Sequence, residues 1–226
     1  MEAELKFTYK KGFTYFDIIE SPFIANNLLQ SSITSYAMRS SYFDTSDEFF
    51  RKRRAVFRLR RQNERYYLTL KLSIPKRLET GEGIFEREEF EFELQERDKN
   101  IDLGLGINPE WFLSRLNETQ EKSNRDLLQI LKMAENRPLS EVCLADFTRT
   151  AYVFSFRTSK FEICFDEGYL GTSEKIEQFS ELEFELLLGK IEDLIALRGI
   201  LLEHLPLIPM EKSKYGRAIA IADQLK

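Results

Sequence analysis

The chain opens with Met1-Glu2-Ala3-Glu4-Leu5-Lys6, and this stretch decides the fold. Charged residues alternate in it with small or apolar ones, so in a β-strand Glu2, Glu4 and Lys6 share one face. Two carboxylates on one face can bind a hard divalent cation, and a lysine ammonium can bind phosphate oxygens. The stretch therefore predicts a two-faced strand whose charged side suits a polyvalent anion held through a metal ion.

Composition narrows the class of protein. A length of 226 residues suits one large domain, residues 1–226, and a hydrophobic content of 42% argues against a disordered chain. The sequence has no run of about 20 apolar residues, and its acidic N-terminus has no signal-peptide hydrophobic region. We therefore expect a cytoplasmic protein with no membrane-spanning segment.

Charge is segregated along the chain. The net charge of −5 argues against nucleic acid as a partner. The two cysteines, Cys143 and Cys164, provide neither a disulfide framework nor the spacing of metal ligands. Residues 51–61 read RKRRAVFRLRR, whereas residues 86–93 read EREEFEFE and residues 181–185 read ELEFE. Separate basic and acidic strands suit a protein that binds phosphate on one side and a metal on the other.

Period-two alternation and runs of aromatic or β-branched residues predict eight strands. They span residues 2–8, 39–45, 54–62, 65–74, 84–94, 145–157, 160–166 and 179–188. Helical spacing and capping pairs such as Ser21-Pro22 predict helices at residues 23–30, 110–116, 124–135, 190–204 and 214–225. Because the strands outnumber the crossovers, a mostly antiparallel sheet or barrel with outer helices is the economical arrangement.

Like charges repeat on one face of several predicted strands. The rows are Arg58 and Arg60; Glu89, Glu91 and Glu93; and Glu181, Glu183 and Glu185. One such row is explained by an apolar face on the core and a charged face in water. Several rows of a single sign are harder to explain in this way, because like-charged neighbours repel each other. They favour a barrel in which acids face metal ions and bases face phosphates across a shared cavity.

Motifs in order along the chain resemble those of the CYTH superfamily, also called triphosphate tunnel metalloenzymes. The spacing Glu2-x-Glu4-x-Lys6 resembles the N-terminal signature of that superfamily. Other matching motifs are Tyr42-Phe43-Asp44-Thr45, Arg58-Leu59-Arg60, Leu68-Thr69-Leu70-Lys71, Arg87-Glu88-Glu89, Arg149, Asp166-Glu167-Gly168, Glu181-Leu182-Glu183-Phe184-Glu185, and Ser213-Lys214 with Arg217. Each motif alone is weak, but together they cover nearly the whole chain.

The resemblance implies a mainly β (α+β) fold, an eight-stranded antiparallel β-barrel that forms a charged tunnel with helices packed outside. Members of the superfamily hydrolyse inorganic tripolyphosphate or thiamine triphosphate, or cyclise ATP, with Mg²⁺ or Mn²⁺. The segment Glu4-Leu5-Lys6-Phe7 resembles the bacterial tripolyphosphatase branch. We therefore expect a divalent-metal-dependent triphosphatase that acts on inorganic tripolyphosphate, as a monomer or a homodimer.

The resemblance also implies roles for individual residues. Glu2, Glu4, Glu183 and Glu185 are the expected metal ligands, because Mg²⁺ prefers oxygen donors. The expected substrate-binding residues are Lys6, Arg58, Arg60, Lys71, Arg87, Arg149, Lys214 and Arg217. Lys6, Lys71 and Glu89 are the expected catalytic residues. We expect three acidic residues to lie behind the residues that contact the substrate and to orient their basic side chains: Asp44, Asp166 and Glu181. The lone His204 is expected to be structural.

Three alternatives stay open. A class IV-type adenylate cyclase is disfavoured because the His-Phe dipeptide that precedes the first signature in that class is absent. A thiamine triphosphatase is open because selectivity depends on the tunnel mouth, which the sequence does not define. A non-catalytic module that binds polyphosphate or a nucleotide needs only the basic residues, so the full acidic set argues against it.

A helical domain fused to some relatives is also missing, so we expect an isolated catalytic domain.

Overall fold

Antiparallel strands dominate the architecture in this computed structural model, which describes residues 2–29, 33–72, 84–87, 89–95, 98, 103–115 and 125–226. The strands are β1 (Glu2–Tyr9), β2 (Thr34–Asp44), β3 (Ala55–Gln62), β4 (Arg65–Leu72), β5 (Ile84–Arg87), β6 (Glu89–Glu93), β7 (Ser140–Phe156), β8 (Ser159–Gly171), β9 (Ile176–Leu188) and β10 (Leu207–Pro209). The helices are α1 (Tyr15–Ile19), α2 (Pro22–Ala25), α3 (Phe49–Lys52), α4 (Pro109–Leu113), α5 (Arg125–Met133), α6 (Ile191–His204) and α7 (Lys214–Asp223).

The strands of the described residues form one antiparallel sheet. Hydrogen bonding orders the strands as β10-β1-β9-β8-β7-β2-β3-β4-β6, and β5 pairs with β1. β6 pairs with β4, and β5, which lies one residue before it in the sequence, pairs with β1. The predicted barrel-like antiparallel fold with packed helices is confirmed. The fifth predicted strand corresponds to β5 and β6, and β10 is an addition beside β1.

Several elements differ from the sequence prediction. β2 starts at Thr34 rather than at residue 39, and β8 continues to Gly171 rather than to residue 166. The sequence pattern does not predict α1, α3 or β10, because elements of three to five residues are too short to show a period. The predicted helix at residues 23–30 is the shorter α2. The predicted element ends at residues 30, 74, 116 and 124 lie outside the described residues.

Two apolar clusters lie on the outer face of the sheet, beneath helices. In the first, Leu194, Leu197 and Leu201 of α6 pack with strand residues that include Leu5 and Phe184. The second joins Phe57, Leu68, Leu70 and Phe90 of the strands to Phe112 of α4 and to Leu127 and Leu131 of α5. Burial of each such side chain stabilises the fold by about 1.5–3 kcal/mol. Because strand side chains alternate, this outer packing turns the intervening polar residues inward.

Helix α7 packs differently, against the inner face of the sheet. Its Ala218 and Ile221 form a third apolar cluster with residues that include Met38 and Ala145. Met38 alternates in phase with Ser40, which lines the interior cavity described below. This helix therefore departs from the predicted arrangement with all helices outside, and it covers one end of the barrel interior.

Contacts at both ends fix α7 in place. The Ser213 hydroxyl caps its N-terminus by accepting a hydrogen bond from the Gly216 backbone N–H at 3.1 Å. Near its C-terminus, Asp223 accepts two hydrogen bonds from Arg51 at 2.7 and 2.6 Å, which ties α7 to α3. Among the helices of the described segments, none has both the length and the apolar character needed to cross a membrane.

Candidate active site

The inward strand faces bring predicted charged residues together in cross-strand pairs. The pairs are Glu4 with Glu185 and Lys6 with Glu183 between β1 and β9, Asp166 with Arg149 and with Glu181 across β7, β8 and β9, and Lys71 with Glu89 between β4 and β6. Side chains directly opposite each other have Cβ atoms about 4.5–5.5 Å apart. Residues that are far apart in sequence therefore form continuous charged rows inside the barrel.

These rows surround a cavity of about 410 Å³. Its lining consists of Glu4, Lys6, Ser40, Tyr42, Val56, Arg58, Arg60, Lys71, Glu89, Glu91, Phe147, Arg149, Glu183, Glu185, Ser213, Lys214 and Tyr215. Six of these side chains are lysines or arginines and five are glutamates. A cavity of this size with charged walls of both signs suits a small polyvalent anion accompanied by a cation.

Three buried carboxylates, Asp166, Glu181 and Glu183, form what we call the carboxylate cluster. One oxygen of each lies within 4.8 Å of the others, a spacing that can hold a metal ion. The Lys214 Nζ lies 2.7 Å from Asp166 Oδ2, 2.7 Å from Glu181 Oε1 and 3.0 Å from Glu183 Oε1. Arg149 donates two hydrogen bonds to Asp166, both at 2.7 Å. Cations of the protein itself therefore balance this cluster.

Lys6 connects the carboxylate cluster to the first strand. Its Nζ donates a hydrogen bond to Glu183 and lies 2.9 Å from Glu4 Oε2. On the other side of the cluster, Arg217 of α7 donates a hydrogen bond to Glu181. The N-terminal signature and the C-terminal helix thus meet at the same group of carboxylates.

Burial and charge act in opposite directions on the carboxylate cluster. Burial disfavours ionisation of Glu183, but Lys214 and its neighbours outweigh it and lower the pKa of this carboxyl well below its ordinary value. Burial also opposes ionisation of Asp166, yet Arg149 and Lys214 lower its pKa. The pKa of Glu181 is raised instead, chiefly by burial and also by the adjacent Glu183. Glu181 is therefore the member that holds a proton most readily.

A second charged group lies on β3, β4 and β6. Arg58 donates a hydrogen bond to Glu91 Oε2 at 2.8 Å and another to the Thr69 hydroxyl at 3.0 Å, and that hydroxyl donates to Glu91 at 2.9 Å. Glu89 lies 3.5 Å from Arg58 and 3.6 Å from Lys71. Burial opposes ionisation of Glu91, but Arg58 prevails and its pKa is lowered. This wall presents cations that are already oriented by carboxylates.

Arg60 is held in a different way from the other cavity cations. It lines the cavity, and its buried Nε has no hydrogen-bond acceptor among the described residues. Burial and the positive charge of Arg58 both lower the pKa of its guanidinium. A buried donor without an acceptor costs free energy. The side chain is therefore suited to bind an anionic ligand in the cavity.

Glu4 and Glu185 offer further oxygen donors for a metal ion on the cavity wall. They lie directly opposite each other on β1 and β9, and both line the cavity. Adjacent carboxylates repel each other, and a cation between them relieves the repulsion. Carboxylate oxygens are the ligands that Mg²⁺ and Mn²⁺ prefer, so this donor set fits the expected ion.

Most predicted site residues lie at the cavity. Glu4, Lys6, Arg58, Arg60, Lys71, Glu89, Arg149, Glu183, Glu185 and Lys214 line it. Asp166, Glu181 and Arg217 contact these lining residues or one another from behind. The backbones of Glu2 and Arg87 pair between β1 and β5, but their side chains lie outside the described part of the structure.

Asp44 has a different role from the expected one. Its carboxylate accepts hydrogen bonds from the backbone N–H groups of Thr45 at 2.8 Å, Phe50 at 2.9 Å and Arg51 at 3.0 Å. It therefore fastens α3 to the end of β2 instead of orienting a basic side chain. His204 is exposed at the end of α6.

The sequence prediction missed several residues of the cavity wall. Glu91 holds Arg58, and its in-phase alternation with Glu89 was the available signal. Tyr42 and Tyr215 have ring centroids 5.3 Å apart and join β2 to α7. Tyr42 belongs to a motif that the resemblance matched, but the sequence assigned it no role at the site. Tyr215 gives no sequence signal, because only the packing of α7 brings it to the cavity.

Comparison with known families identifies the chain. A sequence model of the CYTH domain matches residues 1–219. The chain belongs to the CYTH family. The family resemblance inferred from the motifs is thus confirmed over nearly the whole length.

Individual relatives share the fold and part of the sequence. The chain is 25% identical over 177 residues to an inorganic triphosphatase of Haemophilus influenzae. The aligned region covers 78% of this chain and 41% of that protein. The chain thus spans 41% of the length of this relative. A Hippeastrum protein described as an adenylyl cyclase candidate with dominant triphosphatase activity superimposes with a TM-score of 0.60 at 20% identity, covering 100% of this chain and 97% of that one. An adenylate cyclase candidate from Bacillus halodurans superimposes with a TM-score of 0.55 at 18% identity, covering 94% of this chain and 95% of that one.

Proposed function

We propose that this CYTH protein is a divalent-metal-dependent triphosphatase that hydrolyses inorganic tripolyphosphate inside the barrel cavity. The observation that carries this proposal is Arg60, a cavity-lining cation whose buried Nε has no acceptor among the described residues. Phosphate oxygens are strong acceptors for guanidinium groups. A bound triphosphate would therefore remove the cost of burying Arg60.

The other cavity cations extend the same binding surface. Arg58 and Lys71 lie on β3 and β4 beside Arg60, and Lys6 and Arg149 lie on β1 and β7. A linear triphosphate carries charge along its whole length, so it needs several cations rather than one. In phosphoryl transfer most of the catalytic effect comes from such positioning and charge stabilisation.

The acidic wall would hold the metal ion. The residues that would bind it are Glu4 on β1 and Glu183 and Glu185 on β9, with Glu2 two residues before Glu4. When bound, Mg²⁺ or Mn²⁺ would neutralise phosphoryl oxygens and activate water. Because this donor set and the basic wall line one cavity, we favour an enzyme over a module that only binds its ligand.

In this proposal the catalytic residues are Lys6, Lys71 and Glu89. Lys6 lies between Glu4 and Glu183, where its ammonium can hold a phosphoryl oxygen beside the metal-binding carboxylates. Lys71 places a compact positive charge on the opposite group of strands, and Glu89 lies 3.6 Å from it and orients it. Lys214 is bound to the carboxylate cluster, so it also supports the geometry of the site.

Similarity to the Haemophilus influenzae inorganic triphosphatase supports hydrolysis. A cyclase must hold the nucleoside so that a ribose hydroxyl reaches the α-phosphate, whereas tripolyphosphate needs only the charged walls. We therefore expect tripolyphosphate to be turned over at least as efficiently as ATP, thiamine triphosphate or GTP. We expect orthophosphate and pyrophosphate as the products from tripolyphosphate, and no cyclic AMP from ATP.

A panel of these four substrates, each with Mg²⁺ and with Mn²⁺, tests the proposal when the products are separated by chromatography. Phosphate release from tripolyphosphate supports it. A dominant cyclic AMP peak would reassign the protein as a cyclase. A clear preference for thiamine triphosphate would replace the substrate, and binding without turnover of any member would indicate a non-catalytic module.

A further inference from the structure

A buried threonine lies between two charged residues of the cavity. Thr69 on β4 is directly opposite Arg58 on β3 and directly opposite Glu91 on β6, so the three residues form one row across neighbouring strands. The relative exposure of Thr69 is 0% and that of Arg58 is 5%. Of the described residues, Arg58 and Glu91 line the cavity and Thr69 does not. Thr69 can therefore influence a ligand in the cavity only through these neighbours.

The partners of Thr69 fix the direction of each of its hydrogen bonds. A guanidinium only donates hydrogen bonds, and an ionised carboxylate only accepts them. Burial raises the pKa of Glu91, but the charges of Arg58 and Arg60 outweigh burial and lower it, so the carboxylate is ionised. The Thr69 hydroxyl therefore accepts hydrogen bonds from Arg58 Nη2 at 3.0 Å and Nε at 3.3 Å, and it donates its single proton to Glu91 Oε2 at 2.9 Å.

These contacts set the orientation of the Arg58 guanidinium. Nη2 also donates a hydrogen bond to Glu91 Oε2 at 2.8 Å, so the three side chains close a ring of hydrogen bonds. Because a guanidinium is planar, acceptors along the edge formed by Nε and Nη2 fix the plane of the whole group. Arg60 lies two residues away on the same face of β3, and its like charge repels Arg58. The hydroxyl thus restrains a buried cation that has a reason to move.

We propose that Thr69 is a positioning residue for the triphosphate: its hydroxyl holds the Arg58 guanidinium in the orientation that binds phosphoryl oxygens. This inference rests on the proposed function, because it takes Arg58 to contact the triphosphate. Binding of a phosphoryl group depends on the direction of the donor N–H bonds as well as on charge. Loss of the hydroxyl should therefore weaken binding even though Arg58 keeps its charge.

A double-mutant cycle tests the proposal. Thr69→Val removes the hydroxyl and keeps the shape of the side chain, whereas Thr69→Ser keeps the hydroxyl and is the conservative rescue. Thr69→Val is also made in an Arg58→Met background, which measures the coupling between the two residues. The matched control is Thr148→Val, since Thr148 is an exposed threonine of β7 opposite Glu167. Calorimetry gives the affinity of each protein for tripolyphosphate, and phosphate release gives its activity.

We expect Thr69→Val to lower the affinity for tripolyphosphate at least about fivefold, which corresponds to about 1 kcal/mol. Thr69→Ser and Thr148→Val should bind as tightly as the wild type. In the Arg58→Met background, Thr69→Val should cause no further loss, because the hydroxyl then has no guanidinium to hold.

Two results overturn the inference. One is an affinity of Thr69→Val equal to that of the wild type. The other is a loss of the same size with and without Arg58, because Thr69 would then act independently of the guanidinium. If Thr69→Val does not fold, as urea denaturation would show, Thr69→Ser is compared with Thr69→Ala, since these two differ only in the hydroxyl. An affinity at least about fivefold higher in the serine variant supports the inference, and equal affinities overturn it.

Failure of the inference and failure of the proposed function give different results. If the wild type hydrolyses tripolyphosphate and Thr69→Val binds it equally well, the inference fails and the proposed function stands. If the wild type binds tripolyphosphate without hydrolysing it, the proposed function fails, and the affinities still decide the inference. A wild type that does not bind tripolyphosphate contradicts both.

Discussion

At the scale of single residues, Arg60 shows how a binding site can be built at the expense of stability. Burial and the charge of Arg58 lower the pKa of its guanidinium, and its buried Nε has no acceptor among the described residues. Neither feature stabilises the free protein, because burying an unpaired charged donor is unfavourable. Both features favour the binding of an anion that brings its own acceptors.

Arg60→Met should therefore separate binding from folding. We expect its affinity for tripolyphosphate to fall at least about tenfold, which corresponds to about 1.4 kcal/mol, because a charge-assisted contact is lost. Its free energy of unfolding should stay the same or rise, because an apolar side chain replaces a buried charge. Calorimetry measures the affinity, and urea denaturation measures the stability.

The matched control is Arg61→Met. Arg61 is the next residue of β3, and its side chain points outward and is 53% exposed. Its removal should leave the affinity for tripolyphosphate unchanged. Equal affinities in the Arg60→Met and Arg61→Met variants would show that Arg60 does not contact the phosphates.

At the scale of elements, α7 joins the fold to the site. Its first residue, Lys214, is buried and contacts all three members of the carboxylate cluster, and Arg217 one turn later contacts Glu181. The opposite end of the helix is fixed by Asp223. Lys214 thus has two roles, as a cavity-lining cation and as the partner that permits three carboxylates to be buried together.

Lys214→Met should destabilise the protein strongly. Removal of one partner from a buried ionic group typically costs about 3–5 kcal/mol, because charges are left without compensation. We expect a loss of about 3 kcal/mol in the free energy of unfolding at neutral pH, measured by urea denaturation. The control is Lys212→Met, which alters an exposed lysine just before α7. A Lys214→Met protein as stable as this control would contradict the structural role.

The start of α6 offers a test of pH dependence. Asp193 accepts hydrogen bonds from the Ser159 hydroxyl at 2.6 Å and the Thr158 hydroxyl at 3.2 Å, and the Ser159 bond is the main reason that its pKa is lowered. The folded pKa lies below the unfolded value of about 3.9. The stabilisation by the ionised form is therefore complete above the unfolded pKa and is lost as the pH falls through the folded pKa.

We therefore expect Asp193→Asn to be less stable than the wild type by a constant amount between about pH 7 and pH 5, with the difference shrinking below about pH 4. Thermal unfolding across this range measures the difference. Glu192→Gln, at an exposed position in the same turn, is the control. A difference that widens as the pH falls would reverse the assigned sign.

At the scale of the whole molecule, alternation is the feature that sequence reveals best. The rows Arg58–Arg60 and Glu181–Glu185 predict which strand faces are charged, and hence both the barrel and most of the cavity wall, because a period of two survives in any sheet. The contacts of Asp44 are not predictable in this way, since they depend on α3, a four-residue helix without a visible period. The inward packing of α7 is also hidden, because an amphipathic pattern does not say which side of a sheet receives the helix.

The central claim is that a triphosphate is hydrolysed within one cavity. The glutamates of the cavity hold a divalent metal ion, and its lysines and arginines hold the triphosphate. The most direct test of this claim is phosphate release from tripolyphosphate by the wild type and by Glu4→Gln, each with Mg²⁺, with Mn²⁺ and with a chelator. Glu167→Gln is the control, at an exposed position on the outer face of β8.

Glu4→Gln removes the charge of a cavity carboxylate and keeps its volume, so the fold should persist while metal binding weakens. We expect release by the wild type and by Glu167→Gln with either metal, no release with the chelator, and no measurable release by Glu4→Gln. Near-normal release by Glu4→Gln at low Mg²⁺, or release by the wild type that the chelator does not stop, would contradict the claim.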